Sequence, residues 1–295
     1  MGSLLHPFAQ QYRPRVPRRP YREMVLNGQS SGRRYSLEPL TVPELAGANL
    51  VRAAADAGYD FVSMFAHMPS DQLPLDPAVR DADHRAAMKS AMAETGVRLL
   101  NLECFNLDAS AEPVEFAQAL ECGGDLGAST ATAIVWENHD LDDALAKYCR
   151  LCDMAAEHGI RVNVEFFATA KSLPSIFEVA DFVRRAGRKN TGIVVDSLHL
   201  MRTSGGMAGL RTINPELVGG VQLSDGMLTP PADLDAEMMA RLLPGQGEFP
   251  LREIVDYCPA DLVLSLEAAN LSQARSVPPE RRAADMLASA RRLFG

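Results

Sequence analysis

Two kinds of apolar pattern alternate along the chain from about Met24 to the C terminus. Short β-branched runs read as strands, and longer stretches with apolar positions every three or four residues read as helices. The strand candidates are Met24-Val25-Leu26, Asp60 to Phe65, Val97 to Phe105, Thr130 to Trp136, Arg161 to Phe167, Thr191 to Asp196, Val218 to Leu223 and Leu262 to Glu267. Between them, helices are expected over Pro43 to Ala57, His84 to Glu94, Pro113 to Leu126, Leu141 to His158 and Pro174 to Ala186, with a last one over Pro279 to Phe294. Thr41 is placed to cap the first, and Gly58, Gly96 and Gly159 are placed to end the first, second and fourth.

Several strands are nearly continuous apolar runs, such as Ile193-Val194-Val195 and Leu262-Val263-Leu264. That pattern is expected of a parallel sheet covered on both faces. Eight β-then-α units without a linker between them predict a single (β/α)₈ TIM barrel over residues 24–295, preceded by an Arg/Pro-rich extension over 1–23. A doubly wound open sheet would carry a Gly-rich phosphate turn after its first strand, and Asn27-Gly28-Gln29-Ser30 is not one.

Composition narrows the class. Of 295 residues, 47% are hydrophobic and 23% charged, and no apolar run approaches the roughly 18 residues that span a bilayer, so no membrane partner is expected. The net charge of −9 argues against a nucleic-acid partner, which would need clustered Lys and Arg. Arg13, Arg15, Arg18, Arg19 and Arg22 all precede the first acidic residue, Glu23; without those five, 24 basic residues face 38 acidic ones, or −14. The opening stretch lacks the apolar core of a secretory signal and reads as a solvated arm or a segment packed on a neighbouring subunit of a homo-oligomer. Five cysteines, an odd and sparse set, suit a reducing, cytoplasmic setting. Cys149 and Cys152 form a C-x-x-C inside a helical stretch, where both thiols share one face as small core residues.

Active sites of such barrels lie at the C-terminal ends of the strands. The polar residues found there are Glu165 on strand five, Asp196 and then His199 on strand six, Gln222 and Asp225 on strand seven, and Glu267 on strand eight. Three acids converging on one barrel mouth repel one another and are costly to bury unless a cation joins them. Oxygen donors favour Mn²⁺ or Mg²⁺, with Co²⁺ or Zn²⁺ as alternatives. Each acid taken singly could equally be a structural ion-pair partner.

The segments Val164-Glu165, Val195-Asp196-x-x-His199, Val221-Gln222-Leu223-x-Asp225, Leu243-Pro244-Gly245-Gln246-Gly247 and Leu266-Glu267 resemble the xylose isomerase-like barrel superfamily. Within it they are most similar to the sugar isomerase/epimerase branch, which includes tagatose 3-epimerase-like and hydroxypyruvate isomerase-like enzymes. The resemblance implies a metal held by Glu165, Asp196, Gln222 and Glu267, with Gln222 standing where epimerase-like members usually carry His. An amide oxygen is a harder donor than imidazole, which moves the expectation from Zn²⁺ towards Mn²⁺ or Mg²⁺.

It also implies an isomerase or epimerase that removes a proton alpha to a carbonyl of a small hydroxy-carbonyl substrate, the metal stabilising the enediolate. Glu165 and Glu267 would remove and return protons, and His199 would donate to the oxygen that gains charge. His67, Glu103, Trp136, Arg202 and Asp225 are further candidates for substrate contact, as is Arg211, although a surface ion pair is the expected state of each arginine. Phe65, Met68, Phe105, Trp136, Phe166, Phe167 and Met227 suggest a less polar ligand than a free sugar, or barrel packing. Three other readings compete: a dehydroshikimate dehydratase-like lyase on the same barrel, an apurinic endonuclease-like phosphodiesterase, and a binding protein without turnover. The phosphodiesterase would need an Asp-x-His for its trinuclear zinc, and Asp225-Gly226-Met227 has none.

Overall fold

A computed structural model describes residues 32–67 and 74–295. Its eight parallel strands close into a barrel in sequence order. They are β1 (Tyr35–Leu37), β2 (Phe61–Phe65), β3 (Arg98–Asn106), β4 (Thr130–Ile134), β5 (Arg161–Glu165), β6 (Thr191–Asp196), β7 (Val218–Leu223) and β8 (Leu264–Leu266). The main covering helices are α1 (Gly47–Ala57), α2 (Ala82–Thr95), α3 (Phe116–Leu126), α4 (Leu141–Ala156) and α5 (Ile176–Ala186). Around the second half come α6 (Ser197–Arg202), α7 (Gly206–Leu210), α8 (Leu234–Met238), α9 (Leu251–Tyr257), α10 (Leu271–Ala274) and α11 (Pro279–Phe294).

The first strand is where the expectation fails. Met24-Val25-Leu26 lies outside the described residues, as do the arginine arm and Met68. The strand that closes the barrel is Tyr35–Leu37, paired in parallel with both β2 and β8. Thr41 is not a cap of α1, which begins at Gly47 instead of Pro43. Its hydroxyl donates to the Leu266 carbonyl (3.1 Å) and accepts from the Ala268 amide (3.0 Å), tying the chain after β1 to the end of β8.

Elsewhere local chemistry explains the elements well. Asp81 and Asp140 cap α2 and α4 by accepting two backbone amides each. In α5 the buried positions Ile176, Val179, Ala180, Val183 and Ala186 recur at helical spacing and face the barrel wall. Cys149 and Cys152 lie on α4, and burial pushes the Cys152 thiol up to about 12, which leaves it un-ionised and inert.

Outward-facing strand residues such as Leu37, Val62, Leu102, Val164 and Val195 join the apolar layer beneath the helices. The barrel interior is different: Ser36, Ser63, Asn101, Thr130, Thr132, Asn163 and Ser265 are all buried polar residues. Phe61, Leu100 and Val263 form a small apolar cluster of their own. A polar lumen can hold ionisable groups at its mouth without isolating them from hydrogen-bond partners.

Candidate metal centre and active site

Parallel pairing brings the strand ends to one level. Asp196 on β6 is in register with Gln222 on β7, Gln222 with Ser265 on β8, and Glu165 on β5 with Val194 on β6. Glu267 directly follows β8 and is held against β7 by its amide, which donates to the Leu223 carbonyl (3.0 Å). Glu165, Asp196, Gln222, Glu267 and His199 are all buried.

Asp196 ends β6 and caps α6, its Oδ1 accepting the His199 amide at 2.9 Å. One helical turn therefore delivers the imidazole back to the strand ends. Glu165, Asp196 and His199 each offer a ligand atom within 4.8 Å of the others. His199 Nε2 and Gln222 Oε1 are buried, with no hydrogen-bond partner among the described residues.

The sequence reading missed two charged groups. Glu38, immediately after β1, is fully buried and accepts from the Ser63 hydroxyl at 2.7 Å. Arg241 lies in the loop between β7 and β8, with its side chain 2% exposed. Its Nη1 is 2.8 Å from Asp196 Oδ2 and 2.9 Å from Glu267 Oε2, and its Nε donates to the Met238 carbonyl. Nη2 has no hydrogen-bond partner among the described residues. Backbone pairing pins this arginine between strand ends: the Arg241 amide donates to Ala269, and Leu242 exchanges hydrogen bonds with Asp225. A strand-end search could not reach a loop residue, although Arg241 stands only two positions before the Leu243-to-Gly247 turn.

Five carboxylates, those of Glu38, Glu103, Glu165, Asp196 and Glu267, thus share one buried space with one guanidinium. Were all ionised, five negative charges less one positive would leave −4. The protonation equilibria respond accordingly. Burial, then Glu267, Asp196 and Glu103, push Glu165 well above the usual carboxylate range. Burial raises Glu267 to about 7 against the pull of Arg241. Burial would raise Asp196 as well, but Arg241 and then His199 more than offset it and hold it below its ordinary value. Burial also lowers His199 to about 4, so its ring is neutral near pH 7.

The donor set fits a divalent cation. It combines an excess of buried negative charge, an amide oxygen without a partner, and carboxylate oxygens with lone pairs to spare beside their present bonds.

The weaker candidates separate. Glu103 on β3 faces the lumen and accepts from Gln222, Asn101 and Thr132. His67 is packed against Phe105 and Phe116. Trp136 and Phe167 meet 5.2 Å apart, and Phe167 lies 4.3 Å from the His199 ring, so these two aromatics flank the site. Phe105 and Phe166 are fully buried packing residues, and Met227 is exposed. Asp225 is committed to the loop: its carboxylate accepts from the amides of Gly226, Gly245 and Phe249. Gly245 has φ +85°, whereas Gly247 is required by crowding, since a Cβ there would stand 2.5 Å from Asp225 Oδ1. Arg211 makes the expected exposed pair with Glu253 (2.7 Å). Arg202 is a correction to that expectation, because its pair with Glu237 (2.6 Å) is buried and it also donates to the Met227 carbonyl, strapping α8 to α6.

Comparisons with known proteins agree with this architecture. The chain belongs to the xylose isomerase-like TIM barrel family, whose match covers residues 51–289. A 3-dehydroshikimate dehydratase of Pseudomonas aeruginosa is 28% identical over 217 residues, which is 68% of this chain and 32% of that protein. The match therefore spans about a third of that relative's length. Among solved structures, the IolI protein with a bound zinc atom superposes with a TM-score of 0.73 at 17% identity, covering 88% of this chain and 98% of that one. D-psicose 3-epimerase in the presence of D-fructose gives a TM-score of 0.68 at 15% identity, covering 89% and 99%. These two structures speak to the fold. No helix among the described residues is long and apolar enough to cross a membrane.

Proposed function

We propose that this chain is a divalent-metal-dependent lyase that dehydrates a small cyclic hydroxy-ketone bearing a carboxylate, as a 3-dehydroshikimate dehydratase does. The carrying observation is Arg241: a buried, permanently charged guanidinium set into the acid ring, with Nη2 as a donor edge for a carboxylate. Its pKa stays above the ordinary arginine value, because Asp196, Glu267 and Glu165 outweigh the cost of burial. The relative from P. aeruginosa, matched over 68% of this chain, supports the same reading.

Glu165, Asp196, Gln222 and Glu267 would hold the metal, with Mn²⁺ or Mg²⁺ the favoured ions for an oxygen-rich set. When bound, it would supply Lewis-acid polarisation of the substrate carbonyl. Glu165 takes the proton from the carbon alpha to that carbonyl, and the released electron pair forms the new C=C bond. The C–O bond to the beta hydroxyl breaks, and the proton taken up is returned by way of Glu267 to that oxygen, which leaves as water. His199, neutral at pH 7, donates its Nε2–H to the carbonyl oxygen as charge grows there. Phe167 and Trp136 form an apolar flank suited to a ring.

A second reading, isomerisation or epimerisation of a sugar, uses the same acids and is favoured by the position of Glu165 and Glu267 on strands three apart around the eight-stranded barrel. One experiment separates them. Chelator-treated protein is supplied with Mn²⁺ and either 3-dehydroshikimate or D-psicose. A new conjugated absorbance with the first supports the lyase. Deuterium incorporation from D₂O into recovered sugar, with no absorbance change from the first, overturns the lyase in favour of the isomerase.

A further inference from the structure

We infer that Glu103 is a positioning residue that fixes which end of the Gln222 amide faces the metal. The inference rests on the metal-site reading above and concerns a residue two strand ends away from the acids expected to ligate.

A glutamine at a metal site has a problem that a carboxylate lacks. Its two ends are nearly the same size, but only the oxygen can bind a cation, while the NH₂ can only donate. Nothing intrinsic to the residue chooses between them. Here the choice is made by a hydrogen-bond chain across the lumen. Gln222 Nε2 donates to Glu103 Oε1 at 3.1 Å. The flipped amide would set its oxygen against that acceptor. The observed orientation leaves Gln222 Oε1 buried without a partner among the described residues, on the opposite end of the amide from Glu103.

Glu103 is itself held. Its Oε1 also accepts from Asn101 Nδ2 (2.5 Å) and from the Thr132 hydroxyl (3.3 Å). Asn101 is fixed in turn, since its Nδ2 donates to Thr132 Oγ1 (2.9 Å) and its Oδ1 accepts from the Thr130 hydroxyl (2.9 Å). Each of these donors meets an acceptor, and the donations converge on Glu103 Oε1 from Asn101 on β3, Thr132 on β4 and Gln222 on β7. All three donors fall on Oε1, so it is this one oxygen that is fixed by the lumen.

The test is a Mn²⁺ titration by calorimetry on the chelator-treated full chain and three variants, with circular dichroism checking the fold. Glu103→Gln keeps a carbonyl acceptor at the same reach, and Glu103→Leu removes it. Positioning predicts that Glu103→Leu weakens Mn²⁺ binding about 10- to 100-fold, the usual range for partners that orient a ligand. Glu103→Gln should stay within a few-fold of the parent. In a Gln222→His background, where no amide needs orienting, Glu103→Leu should change affinity little. Equal losses in Glu103→Gln and Glu103→Leu would show that Glu103 acts through its charge and overturn the inference, as would unchanged affinity in Glu103→Leu. Failure of the parent chain to bind Mn²⁺ at all would instead remove the metal site itself, an outcome distinct from either.

Discussion

The two halves of the barrel mouth both carry buried acids, yet they use them differently. On the β1–β4 side, Glu38 and Glu103 sit among hydroxyls and amides: Ser63 donates to one, and Asn101, Thr132 and Gln222 to the other. On the β5–β8 side, Glu165, Asp196 and Glu267 face one another, a guanidinium, and the unpartnered atoms of His199 and Gln222. One half spreads its acids among hydroxyl and amide donors, with only Glu38 Oε2 of the two acids buried and unpartnered among the described residues; the other crowds its acids against one another and a single guanidinium, beside an unpartnered imidazole nitrogen and amide oxygen. The difference teaches that a buried carboxylate signals chemistry only when its neighbours do not already account for it.

The largest way to break this contrast is to remove an acid from the β5–β8 half. Glu165→Gln is expected to lower turnover by about 10²- to 10⁴-fold, the range for a lost general base, while part of the metal affinity survives. Full deuterium exchange into substrate by that variant, read by mass spectrometry, would remove Glu165 from the role of base.

Arg241→Met comes next. It strips the counter-charge from Asp196 and Glu267, and breaking a buried pair of this kind costs about 3–5 kcal/mol of stability by thermal unfolding. The KM for a carboxylate substrate should rise by more than kcat falls. An unchanged KM would mean that the guanidinium serves only the acids.

The pH dependence of metal-free stability is a smaller effect with a definite sign. Glu267 is raised from 4.5 to about 7 in the folded protein, so between those values the folded state holds a proton that the unfolded state has released. Its contribution is fully present below the unfolded value and is lost as pH rises through about 7. The melting temperature of the chelator-treated chain should therefore drift down across that window, and added Mn²⁺ should restore more at pH 8 than at pH 5, since binding displaces protons. A metal-independent, flat profile would contradict the charge-crowded mouth.

The smallest effect separates the two arginines beyond β6. Arg211→Ala, at an exposed pair, should move stability by no more than about 0.5 kcal/mol. Arg202→Met should cost more, because it unstraps α8 from α6 and leaves Glu237 half-buried without its partner. Equal shifts would erase the distinction.

The meeting of the β5–β8 acids was legible in the sequence for a physical reason. Parallel strands end at one level, so acids that follow apolar runs on strands five, six and eight must meet, and β6, β7 and α11 fall at the expected residues. The other half was harder to read. Tyr35-Ser36-Leu37 is only three residues long with a polar centre, too short to show a period, and the more apolar Met24-Val25-Leu26 drew the assignment instead. Glu38 was lost with it. Arg241 escaped because loop contacts, not periodicity, place it: its segment is pinned by Asp225 and Ala269, pairings that no local pattern announces.

The claim that the β5–β8 acids form a metal centre is tested most directly by metal analysis. The parent chain and Asp196→Asn are loaded with Mn²⁺, dialysed against metal-free buffer and assayed for bound ion. The account predicts about one ion retained per parent chain, with the variant losing most of it while keeping its fold by circular dichroism. Retention by neither protein, or equal retention by both, would contradict it.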